Sequence, residues 1–187
     1  AKAEPHPMFL EHGIEAVPFA HDKMDEWRNN FKGIRYVDES EGYNFGGAVD
    51  DIWQKPNGDL IVVDVKSTSK NVFDWEDTYS KWEYAKGYRR QLEMYQWLLE
   101  KNDFSVASEG YLVYYNGKKN EPMFDKKLEF DLHLVKLECD NSWVAEAVIA
   151  AKKTLEGQMP KAAISCENCN YLRKRWEVSN KDSKNLL

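Results

Sequence analysis

The sequence predicts an α/β fold: a central mixed sheet of four or five strands flanked by helices. Three observations predict it. Leu60-Ile61-Val62-Val63 is apolar at every position, as in a strand buried on both faces. The segment from about Tyr79 to Lys101 places Tyr88, Gln91, Leu92, Tyr95 and Leu99 at i, i+3, i+4, i+7 and i+11, one stripe of a long helix. Gly110 to Tyr115 then reads as a further strand, so the order strand, strand, helix, strand lies at the heart of the chain.

Residues 1 to 20 hold Pro5, Pro7 and Pro18 and read as an extended lead-in, with a strand near Ile14 to Phe19. From Asp22 to Phe31 the spacing of Met24, Trp27 and Phe31 predicts a short amphipathic helix, with Gly33 just past its end. Ile34 to Val37 forms a short strand, and Asp38-Glu39-Ser40-Glu41-Gly42 an acidic turn. A hairpin from Phe45 to Lys66 follows, its first strand covering Gly46 to Trp53 and its turn set by Lys55-Pro56-Asn57-Gly58. Residues 67 to 80 read as a polar loop in which Phe73 and Trp75 either anchor the loop on the core or stack on a base.

Beyond the long helix, Leu128, Phe130, Leu132 and Leu134 alternate with Glu129, Asp131 and His133, the pattern of a strand buried on one face with His133 turned to solvent. Ser142 caps a last major helix striped by Val144, Val148, Ala151 and Leu155.

The 187 residues suit one domain, and 42% hydrophobic content supports a globular core. No apolar run approaches the roughly 18 residues of a membrane span. Three cysteines make no disulfide framework, so a reducing cytoplasm is the expected compartment. A net charge of −6 argues against a wholesale basic surface but allows a local basic rim from Lys66, Lys70, Lys86, Arg89 and Arg90, with Lys118, Lys119 and Arg173 to Arg175 beside them.

Asp64 and Lys66, two residues apart on one strand, project from one face, and Val65 from the other. A charged pair straight after an apolar run is expensive to bury unless something uses it. Asp50, on the first strand of the hairpin, could face Asp64 across it. Two such carboxylates make a hard oxygen site for Mg²⁺ or Mn²⁺, and a neighbouring lysine can position a water and offset charge on a phosphate. A surface ion pair at the end of an edge strand is the plain alternative.

Gly47-Ala48-Val49-Asp50, Asp64-Val65-Lys66 and Gln91…Tyr95, in this order and spacing, resemble the RecB-type branch of the PD-(D/E)xK nucleases, which includes the CRISPR-associated RecB-like exonucleases. The likeness is close over roughly residues 45 to 100. It implies a restriction-endonuclease-like core and Mg²⁺- or Mn²⁺-dependent cleavage of DNA by an exonuclease. Asp50 and Asp64 would be metal ligands, with the Val65 carbonyl joining them, and Lys66 the catalytic lysine. Gln91 and Tyr95 would shape the wall facing DNA, with Arg89 and Lys70 on the basic rim. DNA is the implied partner, together with a helicase or a recombination or CRISPR protein, and the setting DNA repair or recombination. Such families carry a further His or Glu before the first motif; His12, His21, Glu39 and Glu41 are the candidates here. Cys166-Glu167-Asn168-Cys169 is half of an iron–sulfur or zinc site. The expected domain is 1–187, lacking the family's N-terminal helix and cysteine pair, so an iron–sulfur cluster is expected only if an N-terminal cysteine segment is present. A non-cleaving nucleic-acid-binding module of the same fold, and a C-x-x-C scaffold or partner-docking protein, are the two other readings.

Overall fold

The computed structural model describes residues 7–121 and 126–184. In chain order the elements are α1 (Pro7–Glu11), β1 (Val17–Pro18), α2 (Met24–Trp27), β2 (Ile34–Asp38), β3 (Tyr43–Gly47), β4 (Asp51–Gln54), β5 (Leu60–Thr68), α3 (Trp75–Lys81), α4 (Glu83–Glu100), β6 (Val106–Gly117), β7 (Phe130–Glu138), α5 (Val144–Glu156) and α6 (Glu167–Lys184). A five-stranded mixed sheet runs β1-β4-β5-β6-β7, and β2 with β3 forms a separate hairpin. Among the described residues only β5 and β6 pair in parallel. Parallel neighbours need a long crossover, and α3 with α4 supplies it.

The apolar run Leu60 to Val63 is buried on both sides because β5 is the middle strand of the sheet. One face packs Leu60, Val62 and Leu112 against Leu92, Leu98 and Leu99 of α4. The other packs Ile61, Val63, Tyr111 and Val113 with Trp53, on which Phe9 sits edge-on at 4.5 Å between ring centres. Residues up to Val148 form one compact unit; a second, from Ile149, holds the end of α5 and α6.

Several elements depart from expectation. The lead-in contains α1, because Phe9 is drawn onto the sheet. The single strand expected over Gly46 to Trp53 is two: β3 pairs with β2, β4 pairs with β5, and residues 48–50 bend between them. The expected loop 67–80 holds the last residues of β5 and most of α3, whose first turn is capped by Asp74 accepting from the Asp77 N–H at 2.9 Å. The long helix begins at Glu83 because Trp82 is extended, with φ −120° and ψ 118°. Phe73 and Trp75 are half-buried, packed on Tyr114 at 5.0 and 5.9 Å, and His133 stacks on Phe73 at 4.2 Å rather than facing solvent. Leu128 and Phe130, expected on the buried face, are exposed. Before α5 it is Asp140, not Ser142, whose side chain caps a turn, accepting from the Ser142 N–H at 3.0 Å.

One buried acid ties α4 to the start of α5. Glu93 accepts from Arg89 Nε at 2.9 Å, Trp143 Nε1 at 2.7 Å and the Asp140 N–H at 3.2 Å. Glu93→Ala leaves these donors facing a buried hole, and unfolding in urea is expected to show a loss of about 3 kcal/mol. An unchanged midpoint would mean the network carries no net stability.

Candidate active site

The site forms where two strands part. β4 stays in register with β5 only to Asp51↔Val63. Asp50 then turns its side chain onto β5, and its Oδ2 accepts the Val65 N–H at 2.7 Å, replacing the ladder bond a longer β4 would have made. The N–H and C=O of an antiparallel strand residue point the same way, so the Val65 carbonyl faces this notch too. Arg28 fixes the bend from outside: Nε donates to the Asp50 carbonyl at 3.1 Å, and the guanidinium pairs with Asp51. Asp51 also accepts from Trp53 Nε1 at 3.1 Å and from the Ile52 N–H at 3.0 Å. Of the two adjacent aspartates, Asp51 is bound up in structure and Asp50 is turned to the notch.

Asp64 is 2% exposed. Burial pushes its carboxyl up to about 6; Lys66 opposes the rise and the neighbouring Asp50 charge adds to it. Asp64 Oδ2 is buried without a hydrogen bond and meets the Lys66 ammonium in an ion pair. Lys66 Nζ also donates to Gln91 Oε1 at 3.2 Å and lies 4.6 Å from the centre of the Tyr88 ring. Gln91 Nε2 in turn donates to Tyr95 Oη at 2.8 Å. The i, i+4 pair on α4 therefore holds the lysine from behind. This explains an amide inside an apolar stripe.

Tyr95 is buried, and burial raises its phenol above the usual range. Its ring lies on Gly47: a Cβ there would sit 2.6 Å from Cε1. Gly47 of the G-x-x-D motif thus makes room for Tyr95 of the Q-x-x-x-Y motif. Gly47→Ala is expected to cost about 1–3 kcal/mol by overpacking, and Tyr95→Leu in the same chain should return part of it, as read by thermal melting. A neutral Gly47→Ala would show that the ring has space to move.

The structure brings together Asp50, Asp64, Val65, Lys66, Gln91 and Tyr95. It does not bring in the rest. Arg89 turns to Glu93 on another side of α4. Lys70 Nζ bonds Thr78, and its backbone is clasped by Asn116. Lys86 and Arg90 both reach Glu83, and Lys118 reaches Asp131. His21 is stacked between Trp27 and Phe19, at 4.5 and 5.6 Å. Among the described residues no third His, Cys, Asp or Glu joins the two aspartates, so His12, His21, Glu39 and Glu41 stay outside the notch. In the second unit the Cys169 N–H donates to Cys166 Sγ at 3.4 Å, which lowers the Cys166 thiol. Cys139 lies on the sheet, where burial pushes its thiol up to about 12 and leaves it unreactive. Arg28 and Tyr88 are the site residues that motif reading missed. Tyr88 was legible as the residue one turn before Gln91, whereas nothing in the sequence tied Arg28 to Asp50.

The oxygens in the notch suit a hard divalent cation. They are two carboxylates and a carbonyl, with a buried carboxylate oxygen already matched to a positive charge. A mixed sheet flanked by helices, with two aspartates and a lysine where its strands part, defines a restriction-endonuclease-like α/β protein. The chain belongs to the PD-(D/E)XK nuclease superfamily, whose profile matches residues 2–173. Members of that superfamily are generally hydrolytic nucleases acting on nucleic acid with divalent metals. Among solved structures the chain is similar to the crystal structure of SSO0001, with 18% identity and a TM-score of 0.38. That similarity covers 72% of this chain and 52% of the other, so the chain spans about half the length of that structure. No curated protein matches the chain. Among the described residues no helix is long and apolar enough to cross a membrane.

Proposed function

We propose that the chain is a Mg²⁺- or Mn²⁺-dependent deoxyribonuclease of the RecB-like branch, acting as an exonuclease in the cytoplasm. The observation that carries this reading is the convergence of Asp50, Asp64 and Lys66 at the strand break, with Gln91 and Tyr95 behind the lysine. Asp50, Asp64 and the Val65 carbonyl would hold the cation. A divalent ion bound there supplies polarisation of the scissile phosphate and a more acidic water.

The chain's own residues do the rest. Asp64 must be ionised to bind the cation, and its burial makes that binding desolvate the site. Lys66, released from Asp64, keeps its hold on Gln91 and Tyr88 and so presents its ammonium at a fixed place. There it aligns the attacking water and offsets charge growing on the phosphate oxygens. Tyr95, wedged on Gly47, keeps Gln91 from rotating away.

The test is degradation of end-labelled linear DNA and of circular DNA with Mg²⁺, with Mn²⁺ and with EDTA. Loss of linear DNA alone, only with metal, supports a metal-dependent exonuclease. Loss of circles as well makes it an endonuclease, and intact DNA in every metal leaves a non-cleaving binding module.

A further inference from the structure

The helical crossover leaves two aromatic rings, Trp82 and Tyr84, largely outside the core, next to Tyr88, which is half-buried against it. The chain is extended at Trp82 between α3 and α4, and the ring is left 53% exposed. Tyr84, in the first turn of α4, is 46% exposed. The Trp82 and Tyr84 rings lie 6.0 Å apart, and Tyr84 lies 5.6 Å from Tyr88. Tyr88 is the ring under the Lys66 ammonium, 4.6 Å away. A file of three rings therefore starts in solvent and ends on the lysine of the candidate site. Scattered single apolar residues on a surface need no explanation, but a contiguous exposed aromatic run marks a place where something binds.

A second observation points the same way. Tyr114 pairs in register with Lys66 across β5 and β6. Its hydroxyl is buried and makes no hydrogen bond, while Tyr88 and Tyr84 lie close to it. A buried hydroxyl without a partner is costly, and a sugar or phosphate oxygen arriving along the file would supply one.

We propose that Trp82, Tyr84 and Tyr88 form a stacking path that delivers single-stranded nucleic acid to Lys66. The proposal rests on the nuclease reading for where the path leads, and adds the form of the substrate. Unpaired bases expose their π faces, whereas a duplex keeps them stacked on one another. The charge balance agrees. The net charge is −6, and Lys86 and Arg90 beside the file are already engaged by Glu83. Phosphate attraction is therefore weak here, and affinity has to come from ring stacking, with a shallow dependence on salt.

Binding is tested apart from cleavage, by fluorescence anisotropy of a labelled oligothymidylate in EDTA against a labelled hairpin duplex of equal length. Trp82→Ala and Tyr84→Leu should each weaken single-strand binding by about 5- to 100-fold. Hairpin affinity should change by less than about twofold, and Tyr84→Phe, which keeps the ring, should restore binding. Both side chains are exposed, so melting temperatures should stay close to that of the parent. Unchanged single-strand affinity, an equal loss for the hairpin, or no rescue by phenylalanine would overturn the path. A chain that cleaves DNA yet ignores these substitutions refutes the path alone. A chain that binds through the rings and cleaves nothing refutes the nuclease reading alone.

Discussion

Lys66→Ala is expected to lower metal-dependent cleavage by about 100- to 1,000-fold, the usual effect of removing one group aimed at developing charge. The ammonium has three contacts: the Asp64 ion pair, Gln91 at 3.2 Å and the Tyr88 face at 4.6 Å. None of these needs a lysine for the fold alone, since a neutral side chain would pack there more cheaply. Without the ammonium, Asp64 faces the Asp50 charge alone and holds its proton to higher pH, which lets the fold survive. Metal binding should persist, because the ammonium that competes for Asp64 is gone. Asp64→Asn should behave differently, losing both cleavage and the stabilisation that metal provides. The pair of variants thus separates the group that would act on the water from the group that would hold the ion. Single-turnover cleavage and metal-induced shifts in melting temperature measure the two effects. Cleavage that survives Lys66→Ala would place the chemistry elsewhere.

The second expectation concerns pH. The Asp64 carboxyl sits at about 6 in the fold, against an ordinary value of 3.8. Between these values the folded chain holds a proton that the unfolded chain has released. Stability of the metal-free protein should therefore fall as pH rises from about 4 to about 6, by at most about 3 kcal/mol from this group, and level off above. Metal reverses the trend. A cation needs the ionised carboxylate, so its apparent affinity should climb about tenfold per pH unit below 6 and flatten beyond it. Melting curves with and without Mn²⁺ from about pH 5 to about pH 8 would show the two lines parting as pH rises. Asp64→Asn should remove the pH dependence of the metal effect. A metal shift that is the same at all pH values would mean that Asp64 is not a ligand.

Much of this protein was legible in one dimension, and for a physical reason. Burial on both faces forces the unbroken run Leu60 to Val63, and helical spacing forces the stripe through Leu92, Tyr95 and Leu99. Both are local consequences of a chain that must hide apolar surface. The alternation rule likewise set Asp64 and Lys66 on one face, and the i, i+4 rule aligned Gln91 with Tyr95. What local rules cannot see is where a strand stops pairing. Gly46 to Trp53 has the composition of one strand, but Gly46 and Gly47 go with β2 and the residues from Asp51 go with β5. The break turns Asp50 onto Val65 and leaves Asp51 to Arg28 and Trp53. The orientation of Asp50, already singled out by its motif, was thus set by pairing partners more than ten residues away. His133 was misjudged because Phe73, drawn over β7 by the crossover, covers a face that alternation marks as polar. The sequence by itself determined the elements of the sheet and the residue types of the site. The tertiary structure decided how Asp50 is turned onto Val65, what steadies Lys66, and which rings stay in solvent, because each of these depends on contacts between segments distant along the chain.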